Sequence, residues 1–421
     1  MQVTISPSVT SGKIKAIASK SSAHRLLICA AFANSPTTVR CEDVNEDIMA
    51  TVDCLCALGA SIERCEESFV VTPIKEIKRN ASLSCNESGS TLRFMLPICA
   101  SLDGSYTFLM KGRLPSRPLS PLKEVLEAHG ATITKESENT LTVTGVISGN
   151  EFEIAGDVSS QFITGLLFAL SFMKKSATLK ITTKLESAPY IDITVDALSS
   201  FGINISKEKN TFIIPENTGL CTPNTVETDG DWSNAAFPLA LGVIGKGTIS
   251  VSNISEKSKQ GDKAIVDILR SFGARIENNG DVFTAYPSKL RGIDIDASQI
   301  PDLVPILATV ATVAEGQTKI YGAARLRLKE SDRLAAVSEV LSSLGANIYE
   351  TDDGLIINGN PSLTGGCVDS FGDHRIAMSV AVASVVCNDK ITVTRAEAVS
   401  KSYPNFWRDL SSLGAIIENQ T

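Results

Sequence analysis

At 421 residues the chain is long enough for two domains of ordinary size, and its 43% apolar content, mixed with charge throughout, describes a soluble globular protein with ample core. A formal net charge of −8 with no basic block argues against a nucleic-acid surface, and the most apolar stretches, such as LLFALSFM from Leu166, fall far short of the roughly 20 residues a membrane span needs. Lys13 and Lys15 precede no uninterrupted apolar run of signal-peptide length, so a cytoplasmic protein is expected, and its ten scattered cysteines read as buried reduced thiols.

Taken in chain order, the predicted elements begin with MQVTIS, an alternating strand from Met1 to Ser6. A pattern then recurs six times: Leu, three residues, Gly and, three further on, Ile. It reads LCALGASI from Leu55, LEAHGATI from Leu126, LSSFGINI from Leu198, LRSFGARI from Leu269, LSSLGANI from Leu341 and LSSLGAII from Leu410. The glycines Gly59, Gly130, Gly202, Gly273, Gly345 and Gly414 are spaced by 71, 72, 71, 72 and 69 residues, so one supersecondary unit is copied six times. Each copy reads as an amphipathic helix stopped by a glycine that takes the left-handed conformation without strain. A strand, a polar turn and a second alternating strand follow, plainest in ATITKESENTLTVTG from Ala131 and ANIYETDDGLIINGN from Ala346. The period exceeds the roughly 20–50 residues of minimal solenoid repeats, so each unit is expected to be a small helix-and-sheet module. The sixth copy lacks the second arm of its hairpin. The strand at the N-terminus is expected to supply it, packing residues 1–19 with the last unit and dividing six units into three and three.

Unusual polar residues keep a fixed phase in these copies. At the start of each first helix stand Lys20-Ser21-Ser22, Ser88-Gly89-Ser90, Ser159-Ser160-Gln161, Asp231-Trp232-Ser233, Pro301-Asp302 and Asp373-His374-Arg375. From Gly89 the steps to Ser160, Asp231, Asp302 and His374 are 71, 71, 71 and 72. A second offset marks the start of the second helix, with Arg117 and Lys401 thirteen residues before the pattern glycine and Tyr190 and Arg333 twelve before it. In a module repeated around a centre both sets point the same way, which gives a cleft lined by helix N-termini. Any single Ser or Asp in such a place is a plain N-cap, and any single Lys is usually solvated. The shared phase is what points to function. Cations at helix N-termini oppose the dipole at a cost of a few tenths to about 1 kcal/mol each, unless an anion lies between, so a multiply anionic small ligand is expected.

The individual stretches sharpen this. SKSSAHR puts Lys20, two hydroxyls and Arg25 on two helical turns, and ESGSTLR surrounds Gly89 with small residues that allow a ligand close to the backbone. GRLPSRP holds Arg113 and Arg117 in a proline-stiffened loop, a fork suited to carboxylate or phosphate, while LKESDR packs Lys329, Glu330 and Arg333 onto one helical start. His129 reads as a satisfied helix residue, and His374 either donates a hydrogen bond in the cleft or is structural. No two histidines have metal-ligand spacing, and there is no Walker A loop, dinucleotide fingerprint or Gly-x-Ser-x-Gly elbow.

Together SKSSAHR, ESGSTLRF, SRP, DVSSQF, SAPYID, QGD from Gln260, IPD from Ile300, LKESDR, GDHRIAM and SKSYP, in order across nearly the whole chain, resemble the 5-enolpyruvylshikimate-3-phosphate synthase family. The resemblance implies a two-domain inside-out α/β barrel of enolpyruvyl transferase type, with six βαβαββ-like units, three per domain. The domains would be 20–228 and 1–19 plus 229–421, with the substrates in the cleft between them. The implied reaction moves the enolpyruvyl group of phosphoenolpyruvate to the 5-hydroxyl of shikimate 3-phosphate and releases phosphate, with no cofactor or metal, in a monomer. Matching positions for shikimate 3-phosphate are Lys20, Ser21, Arg25, Ser159, Ser160, Gln161, Ser187, Tyr190, Asp302 and Lys329. Those for phosphoenolpyruvate are Lys20, Gly89, Arg117, Gln161, Arg333, Arg375 and Lys401. Glu330 is the expected acid and Asp302 the expected base, with Lys20 competing for proton transfer. Many members carry Asn where this chain has Glu87, which is left out of the site. The sister transferase acting on UDP-N-acetylglucosamine typically carries a reactive Cys in the loop before the proline-linked Arg, and KGRLPSRP has none. A non-catalytic ligand-binding relative is opposed by the joint retention of Lys20, Asp302, Glu330, Arg333 and Lys401.

Overall fold

In the computed structural model, which describes residues 1–420, the six copies become six four-stranded sheets of one connectivity. The second copy shows the plan. Strand Asn80–Asn86 leads into helix Gly89–Ala100, strand Ser105–Met110 follows beside the first and parallel to it, and helix Leu122–Ala128 leads to the hairpin Thr132–Ser137 and Thr140–Thr144. The hairpin's second arm pairs antiparallel with Ser105–Met110, so the parallel strand is one edge and the hairpin's first arm the other. The six pattern glycines end the second helices with φ between 89° (Gly202) and 120° (Gly59), the left-handed region that glycine enters freely.

The chain divides into two compact units, residues 1–17 with those from 229 on, and residues 18–228. The division after Ile17 falls two residues before the expected one. Strand Gln2–Ser6 lies antiparallel between Ile391–Thr394 and Ile416–Gln420, in the place a hairpin arm takes in the other copies, with Val3 and Ile5 buried. The expectation that all of residues 1–19 packs with the last copy is corrected for the next strand. Gly12–Lys15 precedes the first copy's first helix yet pairs parallel with Ile249–Ser252 in the fourth copy's sheet. Thr225–Glu227 precedes the fourth copy's first helix and pairs parallel with Thr37–Arg40 in the first copy's sheet. The two edge strands are exchanged because the chain changes unit between strand and helix at both places, leaving each strand in the unit from which the chain departs.

In the unit from 229 on the three first helices pack on one another. In residues 18–228, Gly89–Ala100 packs on Ser160–Phe172, while Lys20–Ala31 lies against the second helices Glu46–Leu58 and Ala188–Ser200. All six first helices are buried nearly all round. Gly89–Ala100, Ser160–Phe172 and Trp232–Ile244 carry apolar residues on every face, as an enclosed helix must. Gly165 is a glycine because a Cβ there would run into the main-chain oxygen of Arg93 on the neighbouring helix. The second helices are amphipathic: Ala188–Ser200 buries only Ile191, Ile193, Thr194, Ala197 and Leu198. Cysteine burial holds for the majority only, since Cys65, Cys221 and Cys367 are exposed. No helix among the described residues is long and apolar enough to cross a membrane.

Candidate functional site

Because the enclosed helices are repeats, their N-termini fall in register, and the phase read from the sequence becomes a set of caps. Ser19 Oγ accepts from the Ser22 amide at 3.4 Å, Ser88 Oγ from Thr91 at 3.2 Å, and Ser159 Oγ from Gln161 at 3.3 Å. Asp231 caps through the Asn234 amide at 2.8 Å and Asp373 through the Arg375 amide at 3.0 Å. Ser159 and Asp231 therefore do what a lone Ser or Asp does at a helix start, although the Ser159 hydroxyl proton still has a direction to donate. The fifth copy departs. Its first helix begins with a tight turn, Pro301–Leu303, without a side-chain cap, and the Asp302 carboxylate turns to arginines instead.

In residues 18–228, Lys20 Nζ donates to Asp47 Oδ2 at 2.8 Å, both groups largely enclosed. Asp47 was not anticipated, yet it stands twelve residues before Gly59, the phase of Tyr190 and Arg333. Arg25 is buried and donates to Ser21 O at 2.6 Å, Tyr190 O at 2.8 Å, Thr194 Oγ1 at 2.8 Å and Thr164 Oγ1 at 3.3 Å, with Phe94 beneath the guanidinium. All four acceptors are neutral, and burial lowers its pKa to about 9. A buried cation held by neutral oxygens is poised for an anion. Gln161 accepts from Arg93 Nη1 at 2.8 Å and donates to Ser90 Oγ at 2.9 Å, which joins the second and third copies. Ser187 is buried at φ 52°, a strained start to the helix that presents Tyr190. His24 meets Thr51 Oγ1 at 2.7 Å, and burial lowers its pKa to about 3, so it stays neutral.

Gly89 has an ordinary backbone, and its reason for being glycine is Arg117: a Cβ would lie 2.6 Å from Arg117 Nη1. Arg117 and Lys401 do not begin helices, as the second offset had suggested. They close the tight turns Leu114–Ser116 and Ala396–Lys401, and the helices start five residues later at Leu122 and Phe406. Pro118, Pro121 and Pro404 explain the delay, since proline holds the residue before it out of the helical region. Both cations remain largely buried. Glu87 is exposed and folds over Gly112, whose Cβ position its carboxylate occupies.

The other unit, from 229 on, holds a denser constellation. Arg333, 1% exposed, donates Nε to Asp373 Oδ2 at 2.7 Å, Nη1 to Asp302 Oδ1 at 2.9 Å and Nη2 to Glu330 Oε2 at 2.9 Å. Arg375 Nη2 donates to the other Asp302 oxygen at 3.0 Å. Burial raises the Asp302 pKa, but Arg375, Lys329 and Arg333 outweigh it and hold the carboxyl well below its usual range. Burial likewise opposes the Arg333 charge, and Asp373, Glu330 and Asp302 more than offset it. The His374 ring lies beside Asp373, with Nδ1 3.8 Å from the carboxylate. Asp373, Ser331, whose hydroxyl donates to Asp373 at 3.0 Å, and Asp262, hydrogen-bonded to Ser233 Oγ, were not among the expected site residues. Asp262 stands eleven residues before Gly273, one short of the twelve or thirteen of the second offset, and its signal in the sequence is the QGD stretch from Gln260. This cluster can hold an anion by exchange of carboxylates for ligand oxygens, and it keeps the Asp302 carboxylate ionised and a weak base while its arginine partners remain.

Residues 5–410 match the family described as EPSP synthase (3-phosphoshikimate 1-carboxyvinyltransferase). The chain is 41% identical over 427 residues to the 3-phosphoshikimate 1-carboxyvinyltransferase of Clostridium novyi, covering 99% of this chain and 98% of that one. It is 41% identical over 424 residues to the protein of that name from Clostridium perfringens, covering both chains fully. EPSP synthase from Acinetobacter baumannii superposes with a TM-score of 0.83 at 25% identity over the whole of both chains. The enolpyruvyl transferase NikO from Streptomyces tendae shares the fold, with a TM-score of 0.81 at 20% identity over 100% of this chain and 98% of that one.

Proposed function

The chain belongs to the EPSP synthase family, and from that premise we propose that it transfers the enolpyruvyl group of phosphoenolpyruvate to the 5-hydroxyl of shikimate 3-phosphate. The observation that carries the reading is the cluster in which Arg333 and Arg375 share Asp302 while Arg333 also holds Glu330. Anion-binding cations and two carboxylates suited to proton transfer lie within one set of hydrogen bonds.

Phosphoenolpyruvate is held by Arg117, Arg333, Arg375 and Lys401, with Gly89 leaving room, and shikimate 3-phosphate by Ser21, Arg25, Ser159, Ser160, Ser187, Tyr190 and Lys329. Lys20 and Gln161 serve both substrates. The shikimate 5-oxygen attacks C2 of phosphoenolpyruvate as Asp302 takes the hydroxyl proton and Glu330 gives a proton to the methylene carbon. In the tetrahedral intermediate the C2–O bond to phosphate then breaks as Glu330, now a carboxylate, takes a proton from the methyl carbon. This forms the enol ether and releases phosphate. Asp302 is ionised in the free protein, as a base must be, but Arg375 and Arg333 make it a weak one. Binding of an anion to Arg375 relieves Asp302 of one partner and raises its basicity. Glu330 starts paired with Arg333, so its acid role follows proton uptake when the anionic substrates arrive. The cations stabilise charge developing on the carboxylate and phosphate, usually the larger effect.

No role in this reading needs a second copy of the chain, the basis for proposing a monomer. Exposed free thiols such as Cys65 and Cys221 fit a reducing cytoplasm. Phosphate release with phosphoenolpyruvate and shikimate 3-phosphate, beside a parallel assay with UDP-N-acetylglucosamine, tests the reaction. Release is expected with shikimate 3-phosphate alone, and Glu330→Gln is expected to lower kcat by about 10²–10⁴. Full activity in that variant removes Glu330 from the chemistry.

A further inference from the structure

The proposed roles leave one of a set of equivalent contacts unused. In four repeats the start of the first helix touches a residue eleven to thirteen positions before the pattern glycine. Lys20 meets Asp47 at 2.8 Å in the first, and Gly89 lies against the Arg117 guanidinium in the second. Asp302 meets Arg333 at 2.9 Å in the fifth, and Ser233 Oγ meets Asp262 Oδ2 in the fourth. The first three pairs each contain residues assigned to the reaction. The fourth contains none, yet Asp262 is 1% exposed. A buried carboxylate is costly, and the same space filled by neutral groups would serve the fold better.

Its neighbours say what it does. Ser233 lies in the first turn of helix Trp232–Ile244, and its main-chain oxygen accepts from Arg375 Nη1 at 3.4 Å. Arg375 then donates its other terminal nitrogen to Asp302 at 3.0 Å. The path from Asp262 therefore runs through Ser233 to the arginine and on to the carboxylate proposed as base. We infer that Asp262 is a positioning residue, which through Ser233 sets Arg375 for phosphoenolpyruvate. This rests on the reading that Arg375 binds that substrate.

The contact also carries a charge effect. The charged groups facing Asp262 are Asp302, Arg375 and Asp231. Burial, and after it the Asp302 charge, push the Asp262 carboxyl up to about 6, with Arg375 and the Ser233 hydroxyl acting the other way. Protonated at lower pH, Asp262 leaves Arg375 to Asp302 and the ligand. Ionised at higher pH, it adds a second carboxylate that competes with the incoming anion, so KM for phosphoenolpyruvate rises with pH.

Steady-state kinetics of the full chain between about pH 5 and 8 test this with D262N, D262A, S233A and R375Q, beside thermal unfolding of each. The substrate phosphate titrates in the same range, so each variant is compared with the wild type at every pH. D262N is expected to flatten the part of the KM profile that belongs to the protein. At about pH 5, where Asp262 is protonated and carries no competing charge, D262A and S233A are expected to raise KM for phosphoenolpyruvate about tenfold, with kcat and KM for shikimate 3-phosphate within about threefold of wild type. If R375Q raises KM for phosphoenolpyruvate while D262A leaves it unchanged, the positioning role is wrong and the site reading stands. An R375Q variant with unaltered KM overturns the premise and the inference together. Should D262A fail to fold, a D262N profile parallel to the wild type's at every pH overturns the inference by itself.

Discussion

Gly89 shows how a residue can be required without any special backbone of its own. The space its Cβ would take belongs to Arg117 Nη1, 2.6 Å away, the far end of a flexible side chain. Gly89→Ala is therefore expected to move the guanidinium while leaving the fold intact. KM for phosphoenolpyruvate should rise about tenfold or more, kcat should change less, and the unfolding midpoint should stay near that of the wild type. Asp262 is the opposite case, a residue whose removal helps stability. Its carboxyl holds a proton more tightly in the folded protein, up to about pH 6, than in the unfolded chain. Between the unfolded and folded pKa values the native state binds more protons, so the stability conferred by that proton is present in acid and lost as pH rises through about 6. Asp262→Asn is expected to match the wild type in acid and to unfold at a higher temperature above that pH. A thermal shift series checks it, and equal midpoints at pH 8 would count against a buried, titrating Asp262.

At the scale of the element, the pattern glycines differ in what they protect. Gly202 is at φ 89°, and the nearest atom to an added Cβ is Cys221 Cβ at an ordinary 3.8 Å. Gly202→Ala should therefore cost only the left-handed backbone, about 1–2 kcal/mol, or a few degrees in Tm. Gly59 is at φ 120° with the Glu76 main-chain oxygen 2.8 Å from its added Cβ, so Gly59→Ala should cost distinctly more. Equal losses in paired melting curves would mean that backbone strain alone governs both. The same helices teach where pattern reading stops. Spacing from the glycine placed Arg117 and Lys401 at the right phase, but the neighbouring prolines decide that they end tight turns, five residues ahead of the helices.

At the scale of the whole molecule, the N-terminal strand ties together the two ends of the unit built from residues 1–17 and 229 on. Gln2–Ser6 bridges Ile391–Thr394 and Ile416–Gln420 and buries Val3 and Ile5. Deleting residues 1–6 is expected to lose amide protection in those two strands first, while residues 18–228, a separate compact unit, keep theirs. Hydrogen exchange resolved by segment checks this, and uniform loss in both units would refute it. The sixfold copy, the helix-ending glycines, the closing N-terminal strand and the phase of the polar helix starts were all legible in the sequence, because each follows from local periodicity and backbone preference. The residues of the resembled family were legible too, including Lys20, Asp302, Glu330, Arg333 and Arg375. What only the tertiary structure decided is partnership. Lys20 with Asp47, Ser233 with Asp262, and Asp302 between Arg333 and Arg375 are contacts across 27, 29, 31 and 73 residues. The exchange of the Gly12–Lys15 and Thr225–Glu227 edge strands likewise depends on where the chain changes unit. Such pairings are set by which helix starts the packing brings together, and a linear pattern encodes the phase of a residue but not the neighbour it meets.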